Sequence, residues 1–106
     1  MIPEGNCQQI HVMQVTLSPA AVSANTSAEQ TFTLPGVKLT TDTILSVVKP
    51  TAQAGLGIVG YRVTADNTLG ITFMNNTGAG ITPTASQVYL VGVVRIDGTP
   101  RTAIAL

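Results

Sequence analysis

GIVGYRVTADNTLGITFMNNT, Gly57 to Thr77, is the stretch whose reading decides the fold. Side chains of a strand alternate between two faces, so Val59, Tyr61 and Val63 share one face of a first strand. Leu69, Ile71 and Phe73 share one face of a second, with Gly70, Thr72 and Met74 on the reverse. Asp66-Asn67 separates the two runs, and both residue types accept the left-handed backbone that a tight hairpin requires. A lone hairpin is marginal in water, so this one needs more sheet around it.

The flanking chain supplies it. Ile10 to Leu17 alternates, with Ile10, Val12, Gln14 and Thr16 against His11, Met13, Val15 and Leu17, a mixed pattern expected of an edge strand or of one gripped by a neighbour. Ser18-Pro19 ends it, because proline cannot donate to a ladder. Ala20 to Ala28 is small and polar and reads as a loop with a short strand near Val22. Glu29 to Leu34 sets Gln30, Phe32 and Leu34 against Thr31 and Thr33, and Pro35-Gly36 is a turn signal. Thr43 to Val48 is a further strand, closed by Lys49-Pro50. QVYLVGVVRI, Gln87 to Ile96, is apolar on both faces and reads as a central strand covered on both sides or as the core of a sandwich. Six or seven short strands without a helical period predict an all-β fold: a single-domain antiparallel β-sandwich, jelly-roll-like or Ig-like, with a small barrel as the alternative. The core prediction is Phe32, Val63, Leu69, Ile71, Phe73, Tyr89 and Val91. The sandwich is expected over residues 11–96, with an extended N-terminal arm at 1–10 and a C-terminal arm at 97–106.

A chain of 106 residues is one domain by length and buries roughly two-thirds of its unfolded surface. Five basic and five acidic residues leave no net field to attract nucleic acid or an anionic membrane. Charged residues make up 9%, against about 25% in an ordinary soluble domain. A small free monomer needs more surface charge than that, so part of this surface is expected to be covered by another protein. Aromatic residues are scarce and tryptophan is absent, which points away from an aromatic-lined ligand pocket and toward a broad aliphatic contact. No basic-then-apolar segment opens the sequence and no apolar run approaches the length of a membrane span, so synthesis in the cytoplasm is expected.

Reactive chemistry is not apparent in the inventory. Cys7 and His11 are single residues of their kinds, too few for a disulfide framework or a metal site, so no cofactor is expected. Asp42, Asp66 and Asp97 all adjoin turns or strand ends, where aspartate serves local hydrogen bonding. GLGIVG at 55–60 superficially matches a phosphate-binding loop but lacks the helix such loops use. Asn25-Thr26-Ser27 and Asn75-Asn76-Thr77 match the glycosylation sequon and read as chance. Arg62 and Arg95 lie within apolar strands, either on a solvated face or as interface arginines.

FTLPG at 32–36, VVKP at 47–50, GLGIVGYRVTADNTLGITFMNNT at 55–77, TPTA at 82–85 and VYLVGVVRI at 88–96 occur in this order. That succession, over roughly Thr31 to Ile96, resembles small structural proteins of tailed bacteriophages that act as capsid decoration or cement proteins. The matching residues belong to turns and packing positions rather than to a catalytic site. The resemblance implies a non-enzymatic virion protein on the capsid exterior, with the major capsid protein and other copies of itself as partners, often as a homotrimer. Tail, neck or fibre components are the alternative within the virion, and a host-receptor or carbohydrate-binding module is the alternative of another class. The capsid and subunit interface is expected to use Ile10, Val12, Arg62, Arg95, Ile104 and Leu106.

Overall fold

The computed structural model describes residues 5–98, 100, 102 and 103. Six strands follow in order: β1 (Cys7–Leu17), β2 (Thr26–Thr33), β3 (Asp42–Val48), β4 (Leu56–Ala65), β5 (Thr68–Asn75) and β6 (Gln87–Ile96). They form two antiparallel three-stranded sheets, β1-β6-β3 and β2-β5-β4, packed as an all-β sandwich. Only β4 and β5 form a hairpin; every other connection passes from one sheet to the other. Each central strand therefore carries a row of fully buried residues: Leu69, Ile71 and Phe73 on β5, and Tyr89, Val91 and Val93 on β6.

Of the expected core, Val63, Leu69, Ile71, Phe73, Tyr89 and Val91 are buried, and Phe32 is half-buried against them. Leu34, Val37 and Val22, from the connections, close the ends of the core. β1 begins at Cys7, so the last four residues of the expected arm at 1–10 belong to the strand, where Cys7 pairs with Ile96. β2 begins at Thr26 rather than Glu29. Asn25, at φ 50°, turns the chain there, and Thr26 to Ala28 find partners in Asn75 to Phe73.

The period-two reading of the hairpin fails at Val59, and the β4 register shifts again between Val63 and Ala65. Ile58 pairs with Phe73 and Gly60 with Thr72, so Val59 is a bulge. An extra residue reverses the alternation, and Val59 lies 58% exposed while Ile58 takes the inward position. Beyond the bulge Tyr61 and Val63 oppose Ile71 and Leu69 as their phase requires.

Two loops lock the ends of the sandwich. Asn67, at φ 61°, donates its N–H to Val37 O (2.8 Å) and accepts from Gly36 N–H at Oδ1 (2.8 Å) and from Leu34 N–H at its carbonyl (2.9 Å). Asp66 Oδ1 accepts from Leu39 N–H at 3.0 Å, so the Pro35-Gly36 turn clasps the hairpin tip. At the other end Asn75 is fully buried, donating from Nδ2 to Val22 O and Ala79 O and accepting at Oδ1 from the Thr77 N–H and hydroxyl. That occupancy leaves Asn75 no role as a glycosylation acceptor.

Candidate functional site

The outward faces of the two sheets differ in chemistry. On β2-β5-β4 the outward positions include Glu29, Thr31, Arg62, Thr64, Gly70 and Thr72. Arg62 donates from Nε and Nη2 to the two carboxylate oxygens of Glu29, at 2.8 and 2.9 Å. The pair lies over Gly70, where a Cβ would stand 2.7 Å from Glu29 Oε2. The guanidinium lowers the Glu29 pKa below its ordinary value, and the carboxylate raises that of Arg62. This is a solvated sheet surface of the kind that threonine and paired charges suit.

The outward face of β1-β6-β3 has the opposite character. Ile10, Val12, Gln14 and Thr16 of β1 lie beside Val94, Gly92, Leu90 and Val88 of β6, which lie beside Thr43, Ser46 and Val48 of β3. Leu45, bulged out of β3 between Ile44 and Ser46, adds another exposed apolar side chain. Val12 is 72% exposed and Ile10 64%, and Val88, Leu90, Leu45 and Val48 are exposed with them. At the centre the Ser46 side chain closes over the buried Gly92, where a Cβ would come within 2.8 Å of the Ser46 hydroxyl. The three strands contain two charged residues, Asp42 and Arg95, and both point inward in phase with Ile44 and Val93. No strand residue on this outward face is charged.

Of its two expected environments β6 has the second, the core of a sandwich, and not the first. It is central in its sheet, but the chain covers it on one face only, and the second apolar face remains open. A sheet normally presents polar residues on a solvated face, so this open apolar face is the candidate site. Sequence periodicity locates the apolar residues of β6 but does not tell which face the rest of the chain will cover.

The expected interface residues divide accordingly. Ile10 and Val12 lie on the apolar face, and Arg62 lies on the opposite, ion-paired sheet. Arg95 is committed within its own chain. It donates from Nε and Nη2 to Asp42 Oδ1 and Oδ2, both at 2.7 Å, and from Nη2 to Gly36 O at 2.7 Å. Asp42, whose side chain is 1% exposed, also accepts from Lys38 N–H and the Thr41 hydroxyl. Hydrogen bonding by Arg95, reinforced by the latter donors against the cost of burial, brings the Asp42 pKa down to about 2. Ile104 and Leu106 lie outside the described residues.

Elsewhere the surface offers shallow clefts. One, lined by Gly55, Leu56, Gly57, Val59, Met74 and Asn76, contains part of the glycine-rich run but no charged side chain to hold a phosphate. Gly55 serves packing there: its φ is +81°, and a Cβ would collide with the Thr77 methyl. His11 Nε2 lies 2.9 Å from Gln9 Oε1. Among the described residues no group of three His, Cys, Asp or Glu side chains converges to hold a metal ion. In comparisons with protein-family models, curated proteins and solved structures, nothing matches this chain.

Proposed function

We propose that this chain is a non-enzymatic structural protein of a virion, which binds the outer surface of the capsid and stabilises it as a cement or decoration protein. The observation that carries the reading is the uncharged apolar face of β1-β6-β3 beside the ion-paired polar face of β2-β5-β4. A cement protein needs this asymmetry: one face excludes water against a partner, and the other keeps the assembled particle soluble. Val12, Leu90 and Val48 each lose the apolar surface they still expose on docking, worth about 1 kcal/mol each before ordering costs because each is already partly buried. The stiff two-sheet frame and the loops clasped at both ends suit a part that resists deformation rather than one that moves. The partners in this reading are the major capsid protein and other copies of the chain; the resemblance implies a trimer, and the edge pairing argued below departs from it.

The test is co-sedimentation of the purified protein with capsids assembled without it. Wild type and Arg62→Ser, altered on the polar sheet, are expected to bind alike, whereas Leu90→Asp, altered on the apolar sheet, is expected to remain in the supernatant while keeping its melting temperature. Equal binding by all three would remove the apolar face from the mechanism. Binding to glycans but not to capsids would replace the capsid reading with a receptor-binding one.

A further inference from the structure

A sandwich of two open sheets has four edges, and three of them are closed or guarded. β3 and β4 face each other across one side of the sandwich, where the Tyr61 hydroxyl donates to Leu45 O at 3.2 Å. Both also carry bulges and a charged residue, devices that discourage strand addition. The β2 edge carries a charged residue, Glu29, and the Gln30 side chain holds the Ala20 backbone nearby, accepting from its N–H at 2.8 Å and donating to its carbonyl at 2.9 Å.

β1 is the exception. It is the longest strand, eleven residues, and it lies at the end of its sheet with β6 on one side. CQQIHVMQVTL contains no Lys, Arg, Asp, Glu or Pro, and its register is regular from Gln9 to Leu17. Among the described residues no loop backbone pairs with its free side. A long, uncharged and regular edge is a template for another strand.

We propose that this edge pairs with β1 of a second copy, antiparallel about a two-fold axis normal to the sheet, so that the two three-stranded sheets become one of six strands. A single unguarded edge, the one without charge, proline or bulge from Gln9 to Leu17, decides the symmetry. An isologous two-fold contact uses one patch twice, whereas a ring of three built by strand pairing needs two different open edges in each subunit. The absence of charge means that identical strands meet without repulsion at any register.

The area of the apolar face gives the second argument. Three strands spaced by about 4.8 Å and about eight residues long at ~3.3 Å each present about 400 Å². A stable interface takes about 800 Å² from each partner. An axis normal to the sheet keeps both apolar faces on the same side, so pairing doubles the single face to the area required. The pairing stands on the edge alone; the use of the doubled face against a capsid rests on the function proposed above.

Protein alone tests the pairing. Analytical ultracentrifugation at about 100 µM is expected to give twice the chain mass, and Val12→Lys is expected to give a folded monomer whose melting temperature, unlike that of the wild type, does not change with concentration. Ile10→Cys, Val12→Cys, Gln14→Cys and Thr16→Cys, each combined with Cys7→Ser, are then oxidised. A two-fold antiparallel pair sets a residue opposite its own copy only at the axis, so a crosslinked dimer is expected at one position or two adjacent ones. Should Val12→Lys itself unfold, amide exchange in β1 of the wild type decides, with protection expected to fall on dilution. A monomer or a trimer at that concentration, crosslinks spread over all four positions, or exchange in β1 that ignores dilution would each overturn the pairing. Loss of capsid binding by a protein that still dimerises would instead count against the proposed function.

Discussion

Asp42→Asn isolates the polar clamp that joins β3, β6 and the Pro35-Gly36 turn. The carboxylate takes two hydrogen bonds from Arg95 and others from Lys38 N–H and Thr41, and its pKa falls from 3.8 to about 2. A carboxyl group whose pKa is depressed in the folded state stabilises that state above its unfolded pKa. The contribution is lost as pH falls through the folded value. The relevant window is therefore from about pH 4 down to about pH 2, and the difference between the two pKa values amounts to about 2 kcal/mol. Urea unfolding between pH 5 and pH 1.5 measures it. Wild type is expected to lose stability across that window, and Asp42→Asn is expected to be weaker at pH 7 and to have lost about 2 kcal/mol of the acid-dependent part. Parallel pH profiles for the two proteins, separated by a constant offset, would refute the attribution to Asp42. The other paired carboxylate, Glu29, lies with its arginine on the open sheet surface, where water and salt screen the pair, so it cannot imitate the signal.

Phe73→Ala removes the fully buried aromatic of β5 and is expected to cost about 3–5 kcal/mol in chemical denaturation, enough to unfold a domain of ordinary stability. Tyr89→Phe is expected to leave stability unchanged or raise it by about 1 kcal/mol, because the buried hydroxyl has no hydrogen-bond partner among the described residues; a clear fall in melting temperature would show that the hydroxyl is bonded. Asn75→Ala withdraws four hydrogen bonds made by one buried side chain, and a loss of at least ~2 kcal/mol with new protease cleavage between Thr77 and Ser86 is expected.

Much of this architecture follows from alternation alone. Leu69, Ile71 and Phe73 keep strict phase, as do Tyr89, Val91 and Val93, and each row enters the core from a central strand. Where phase slips, sequence fails locally. Nothing in GIVGYRV marks Val59 as a bulge, since glycine on either side fits a regular strand as well as an irregular one, and cross-strand register settles the choice. Asn75 and Arg95 were illegible for another reason. Their partners are placed by loops (Val22, Ala79 and Gly36) or by the β3–β6 register (Asp42), and all but Ala79 lie more than fifty positions away in sequence.

The outward face of β6 is the most instructive difference. Periodicity reports that Val88, Leu90 and Val94 are apolar opposite Tyr89, Val91 and Val93, and it weights the two sets alike. The chain has only three strands to lay over them, and β2-β5-β4 covers the inner set. A fold that satisfies one face of its most apolar strand and leaves the other open has not run short of polar residues, since threonines and an ion pair dress its opposite sheet. Random drift in surface composition would spread apolar residues over both sheets. Six of the exposed large apolar side chains, Ile10, Val12, Leu45, Val48, Val88 and Leu90, nevertheless gather on one face, against Val59, Tyr61 and Met74 on the other sheet. That bias, on a face where no strand residue is charged and from whose edge an unguarded strand projects, is what the proposed docking rests on.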